Sequence, residues 1–361
     1  MSPMILLPDV LAGWPCTPNI NRFHDEVAME ARGWMHSYNP LPLVAHMKFD
    51  RDDFPLVTSL TYPTVSRPQL RICADLTIWF LLFDHITDDS NGIAAKQLAM
   101  KLIMAMRYPD LPTPDKASVL IDMTRDLWLR TLAFSVPSAA QRLLRSTEDY
   151  ILAVCKEAED RDAKHVRGIQ EYLTIRRGSA ASEVIFLLAL LHLDISDEAM
   201  EHPTVRELTD LGMNLICIHN DIYSYNFERA HGLHGHNLVT AVMQEKRLGV
   251  QDAITYSGEM FHNTAREFMQ TIQNLPQFTP EDDKGLREHT LSMINWIVAL
   301  DEWSLLTPRY FGNQRFQVRR TRMIELANEP EGMEYVFTDT QEEKSWRLTP
   351  LESVSMPLVP L

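Results

Sequence analysis

Residues 66–89 read SRPQLRICADLTIWFLLFDHITDD. Ser66 is a helix-capping type, and Pro68 suits a first helical turn, where a missing amide hydrogen costs nothing. From Leu76 to Phe83 the pattern is apolar on every side of a helix. A helix of that kind lies at the centre of a bundle, because no face is left for water. The run then turns abruptly acidic and stops at SNG, residues 90–92.

A second stretch behaves alike. Residues 202–232, HPTVRELTDLGMNLICIHNDIYSYNFERAHG, open on a capping-box pattern at Thr204 and Glu207 and end at Gly232, a residue suited to a left-handed helix stop. They predict a helix of about 27 residues, some 40 Å long. Its middle, LICI, is apolar and its last third is polar. A third stretch, residues 166–191, is helical in spacing up to Arg177, is interrupted by GSAAS, and resumes at Val184, which predicts a break near Gly178. Amphipathic spacing predicts further helices over 22–36, 94–106, 117–132, 138–159, 252–274 and 284–304. Glycine is scarce, with 13 residues, and no series of alternating strands is visible. The expectation is an all-α, single-domain helical bundle over 1–361, with a core of about 15–315 and an extension over 335–361, packed as a strap or mobile.

Composition narrows the function classes. Of 361 residues 45% are hydrophobic and 23% charged, enough for a large core. The net charge of −15 carries no basic stripe, which argues against nucleic acid and anionic membrane as partners. The longest apolar run, Val184 to Leu191, is too short to span a bilayer. Four widely spaced cysteines form no zinc pattern, and Cys73 and Cys217 read as buried thiols of a reducing, cytoplasmic protein.

The chemistry gathers where the two apolar helices turn polar. Asp84 and Asp88 are four residues apart and share a helix face. Two carboxylates so close repel unless a cation lies between them, and hard oxygen donors suit Mg²⁺. Asn220, Ser224 and Glu228 repeat every four residues and offer a carbonyl, a hydroxyl and a carboxylate on one stripe. Asp221 points off that stripe. Alone, each set also fits an ordinary solvated helix end. If the two helices are neighbours, their polar ends face one cavity and could grip a diphosphate through Mg²⁺. Arg176 at the helix break, with Arg309 and Tyr310 after the last long helix, could donate to phosphate oxygens.

Together these motifs resemble those of class I terpene cyclases, specifically fungal, basidiomycete-type sesquiterpene synthases. DHITD matches the family's aspartate-rich motif through Asp84 and Asp88, with His85 in the variable second position. Asn220, Ser224 and Glu228 match the second motif, 136 residues further on. The Arg309–Tyr310 pair and the RRGS break match as well, the break at the position of a diphosphate-sensing arginine, here Arg176 or, as second choice, Arg177. The resemblance runs to about residue 315. It implies three Mg²⁺ ions held by Asp84, Asp88, Asn220, Ser224 and Glu228. It further implies farnesyl diphosphate as the most favoured prenyl diphosphate, its ionisation and cyclisation, and a lyase activity. A homodimer, common among relatives, is left open. Carbocation chemistry needs an aromatic wall, for which Phe80 and Trp303 are candidates, while Trp79 reads as core. Two alternatives stay open: a chain-elongating prenyltransferase and a non-catalytic isoprenoid-binding relative. One departure stands out. Phe227 occupies a position where many relatives carry lysine, and Arg229 is a candidate replacement.

Overall fold

The computed structural model describes residues 3–88, 90–111, 119–330 and 336–337. Asp89 and nearly all of the 335–361 extension lie outside the described residues, so the expectation of a strap there is not addressed.

Fifteen α-helices follow one another among the described residues: α1 His24–Tyr38, α2 Leu43–Asp52, α3 Phe54–Thr61, α4 Arg67–Asp88, α5 Gly92–Arg107, α6 Val119–Phe134, α7 Pro137–Asp162, α8 Ile169–Ser179, α9 Ser182–Leu188, α10 Asp197–Met200, α11 Pro203–His231, α12 Leu238–Lys246, α13 Val250–Gln273, α14 Pro280–Leu306 and α15 Arg315–Thr321. Strands are vestigial. β1 (Met4–Leu6) pairs antiparallel with β3 (Met323–Glu325), tying the start of the chain to its later part, and β2 (His165–Val166) pairs parallel with β4 (Val336–Phe337). The architecture is all-α.

The shaft of α4 is buried as its pattern demands. Leu76, Ile78, Trp79, Phe80, Leu82 and Phe83 are all within the core. Trp79 stacks on Phe83 at 5.8 Å and donates its indole N–H to Thr124 Oγ1 at 2.8 Å, so this large ring is structural. The middle of α11, Leu215 to Ile218, is equally buried, and the helix packs against α13, α14 and α8. Its end is as expected: Gly232 takes φ 71°, and its amide closes the last turn on Glu228 and Arg229 carbonyls. Its start is not. The N-cap is His202, whose ring accepts from the Thr204 amide, and Pro203 occupies the first turn, so the capping box at Thr204 and Glu207 does not form.

The break after Arg177 exists and falls within GSAAS, just past Gly178. α8 continues through Gly178 to Ser179, and the chain turns at Ala181, which adopts φ 53°. Gly178 serves closeness instead: a Cβ there would lie 2.8 Å from the Ala153 Cβ of α7. The turn leaves Arg176 and Arg177 in the last turn of α8, where cations complement the helix dipole.

Candidate active site

A cavity of about 440 Å³ opens where α4 and α11 become polar. Asp84 and Asp88 line it from α4, and Asn220, Ser224 and Glu228 line it from α11. Arg176, Arg309 and Tyr310 complete the same wall. Eight of the ten residues singled out in the sequence therefore converge on one space, although they come from four separate parts of the chain.

The two acidic ends are held differently. Asp84 accepts a 2.8 Å hydrogen bond from the Tyr150 hydroxyl of α7, while Asp88 is more exposed and lies 3.5 Å from Arg161. Burial, then the neighbouring Asp88 charge, pushes the Asp84 carboxyl up to about 7. Glu228 accepts from Asn237 Nδ2 at 2.9 Å, and burial followed by Asp221 pushes it likewise to about 7. Each carboxylate would be stabilised in its charged form by a cation in the cavity. Ser224 lies close enough to Glu228 to favour its ionised form. Yet the Ser224 Oγ is buried and has no partner of hydrogen-bond geometry among the described residues.

Arg176 ties α8 to the α11 wall. Its Nε donates to Asp221 at 3.1 Å and its Nη2 to Asn220 Oδ1 at 2.8 Å. Arg177, one residue and about 100° further round the helix, turns away to Asn214 and lines no part of the cavity. Asn220 in turn donates to the Tyr310 hydroxyl at 2.9 Å. Arg309 donates to Asp52 at 3.0 Å, and its buried Nε has no partner among the described residues. Asp221 is off the stripe, as expected. It is buried and accepts from Arg176, from the Tyr172 hydroxyl at 2.5 Å and from the Leu238 amide at 3.0 Å, which anchors α12.

The cavity aromatics differ from expectation. Phe80 packs against Trp79 and Tyr150 behind the α4 wall. Trp303 is buried against Phe54 and Tyr310, with its indole N–H on the Asp52 carbonyl at 2.7 Å. Neither lines the cavity, because both side chains leave their helices toward packed neighbours. The phenylalanine and tyrosine rings that do line it are Phe49 of α2, Phe54 of α3, Phe227 of α11 and Tyr310. Arg229 does not stand in at the second motif either. Its Nε donates to the Ala327 carbonyl at 2.8 Å and it pairs with Glu329, outside the cavity.

Comparison with known proteins bears directly on this arrangement. The family described as "Terpene synthase family 2, C-terminal metal binding" matches residues 75–267, just over half the chain and both acidic helix ends. Sesquiterpene synthase 14 of Postia placenta is 33% identical over 323 residues, covering 90% of this chain and 92% of that protein.

The chain belongs to the terpene synthase family.

Two further relatives agree with that assignment of this terpene synthase. Delta(6)-protoilludene synthase of Stereum hirsutum is 31% identical over 89% of this chain and 88% of its own length. Sesquiterpene synthase Agr8 of Cyclocybe aegerita is 31% identical over 96% of this chain and 98% of its own. A solved germacradien-4-ol synthase from Streptomyces citricolor has the same fold, at TM-score 0.69 and 24% identity, over 80% of this chain and 96% of that one. Among the described residues no helix is long and apolar enough to cross a membrane.

Membership in this family implies a divalent metal, and the residues fit one of a particular kind. Among the described residues no group of three or more His, Cys, Asp or Glu side chains converges to hold an ion alone. The donors are instead hard oxygens divided between two walls, and one of them, Ser224 Oγ, is buried without a partner. A divided set suits a hard cation that takes one or two carboxylates and completes its shell with water and substrate oxygens.

Several residues that hold the cavity side chains of this synthase in place carried no visible sequence motif. Tyr150 steadies Asp84, Asn237 steadies Glu228, and Asp52 holds Arg309. Asn237 alone left a trace, as a capping residue before the apolar LVTAV that opens α12.

Proposed function

We propose that the protein is a Mg²⁺-dependent sesquiterpene synthase, a carbon–oxygen lyase that ionises farnesyl diphosphate and cyclises the resulting carbocation to a hydrocarbon or alcohol. The observation carrying this reading is that Asp84 and Asp88 line the same cavity as Asn220, Ser224 and Glu228. The names of the relatives, sesquiterpene synthases at about 30% identity along nearly the whole chain, support the substrate class.

Those five residues would hold Mg²⁺, three ions by family resemblance, and the metal when bound neutralises the diphosphate and makes it a better leaving group. Arg176 and Arg309 offer forked donors to phosphate oxygens, and Tyr310 adds a hydroxyl. As the allylic C–O bond breaks, its electron pair departs with the diphosphate, and these preset donors stabilise the charge that develops. Leu41, Ala45, Phe49, Phe54, Leu81 and Val154 give the cavity its apolar lining and keep water from the cation. The rings of Phe49, Phe54 and Phe227 stabilise positive charge without offering a nucleophilic lone pair. Loss of a proton to the released diphosphate, or capture of water, ends the reaction.

The test is to incubate the purified protein with Mg²⁺ and geranyl, farnesyl or geranylgeranyl diphosphate and to analyse the volatiles by gas chromatography and mass spectrometry. Cyclic sesquiterpenes from farnesyl diphosphate are expected. A longer prenyl diphosphate, formed only when isopentenyl diphosphate is added, would replace this reading with chain elongation.

A further inference from the structure

Phe227 stands immediately before Glu228 on α11, so its ring lies at the edge of the proposed diphosphate site. Two cations face that ring. The Arg309 guanidinium carbon is 5.2 Å from its centroid, and so is the Lys48 Nζ of α2. Lys48 lines the same cavity as the five oxygen donors, together with Asp52 one turn later on its own helix. Asp52 is occupied by Arg309 at 3.0 Å. Lys48 itself is solvent-exposed and makes no ion pair within 4.0 Å among the described residues. Its hold is the π face, worth only about 0.5–1 kcal/mol at an exposed site. An ammonium on a four-carbon stem, tethered that weakly, is free to turn toward a stronger anion.

We propose that Lys48 is a substrate-binding residue, donating its ammonium to the diphosphate across the Phe227 ring and supplying from α2 the charge that α11 lacks at position 227. This rests on the diphosphate reading above. The neighbouring basic side chain on α11 cannot do this work. Arg229 is taken up by the Ala327 carbonyl and by Glu329, away from the cavity. Phe227 has a complementary part: its ring keeps Lys48 at the rim, close to where the phosphates would lie, and there Lys48 forms no ion pair within 4.0 Å with Glu228 or Asp52. Exposure places Lys48 at the mouth, so its contribution is to capture and orientation of the anion more than to the ionisation step, and it belongs in KM before kcat.

The experiment is calorimetric titration of inorganic pyrophosphate in the presence of Mg²⁺, with farnesyl diphosphate turnover in parallel. Lys48→Met is expected to weaken pyrophosphate binding about tenfold or more, the loss of one charge-assisted contact. It should raise KM with little change in kcat. Lys48→Arg should recover most of both, and Lys101→Met on α5, outside the cavity, should bind within about twofold of the unaltered protein. Unaltered pyrophosphate affinity in Lys48→Met overturns the role of Lys48 and leaves the diphosphate site standing. An equal loss in Lys101→Met also overturns it, since the effect would then be the general field of the protein. Failure of the unaltered protein to bind pyrophosphate with Mg²⁺ removes the diphosphate reading and this proposal with it.

Discussion

Asn220 and Asp221 are neighbours in sequence and opposite in task. Asn220 faces the cavity, while Asp221, about 100° round the helix, is buried under it with three donors upon its carboxylate. Removing Asp221 would strand Arg176, whose side chain is only 15% exposed, without its charge partner. Asp221→Ala is therefore expected to cost about 3–5 kcal/mol of stability, measured by urea unfolding. Glu228→Gln and Asp84→Asn keep shape and hydrogen-bond acceptors but lose a ligand charge. They are expected to lower kcat about a hundredfold or more while unfolding within about 1 kcal/mol of the unaltered protein. A Glu228→Gln protein with full turnover would remove Glu228 from the metal set. The choice between Arg176 and Arg177 belongs to this scale too. Both are arginines in one helical turn, and only the packing of α8 against α11 assigns the first of them to the cavity.

At the scale of elements, α8 shows how a weak helix residue can be the right one. Gly178 lies in the last turn of α8, where alanine would gain at most about 0.5–1 kcal/mol from propensity. The added Cβ, however, would meet the Ala153 Cβ at 2.8 Å, and neither side chain can swing aside. Overpacking of this kind costs about 1–3 kcal/mol, so the clash outweighs the propensity. Gly178→Ala is expected to lower the unfolding free energy by about 1–2 kcal/mol and to raise KM by pushing α8, and Arg176 with it, away from α7. A gain in stability would show that α7 and α8 have room to separate. Among the described residues five helices, α2, α3, α10, α12 and α15, escaped sequence reading, and for α2 the reason is physical. α2 exposes Leu43, Val44 and Met47 while burying His46 and Asp52, so its pattern is inverted relative to an ordinary amphipathic helix. It borders the cavity rather than the core, and its polar face has the cavity as partner.

For the whole molecule, stability carries a pH signature far from the cavity ligands. His289 of α14 is buried against α11, with its Nε2 3.0 Å from Thr209 Oγ1. Burial, and then the nearby Arg206, pushes the imidazolium down to about 3 from an ordinary 6.5. Above pH 6.5 the ring is neutral in both states and its contribution is whole. As pH falls from there toward 3, the unfolded chain takes a proton that the folded one refuses, and stability drops by up to about 1.4 kcal/mol per pH unit. His289→Gln is expected to flatten that slope between pH 6.5 and 5 in denaturant titrations. Parallel slopes for the two proteins would show that His289 is not the group responsible.

Two features were settled by the chain itself. The apolar shafts of residues 76–83 and 215–218 require a bundle centre, since no other place leaves all their faces dry. The i, i+4 spacings at Asp84 and Asp88, and at Asn220, Ser224 and Glu228, place each set on one helix face, since that follows from 3.6 residues per turn alone. Local geometry has no knowledge of what lies across from a face. That the two faces share a cavity, that Phe80 and Trp303 turn into packing while Phe49, Phe54 and Phe227 turn toward the space, and that Lys48 arrives from a helix 179 residues before Phe227 were decided by tertiary packing. Contacts between distant segments depend on how whole helices fill volume against one another, and no single segment's pattern carries that information.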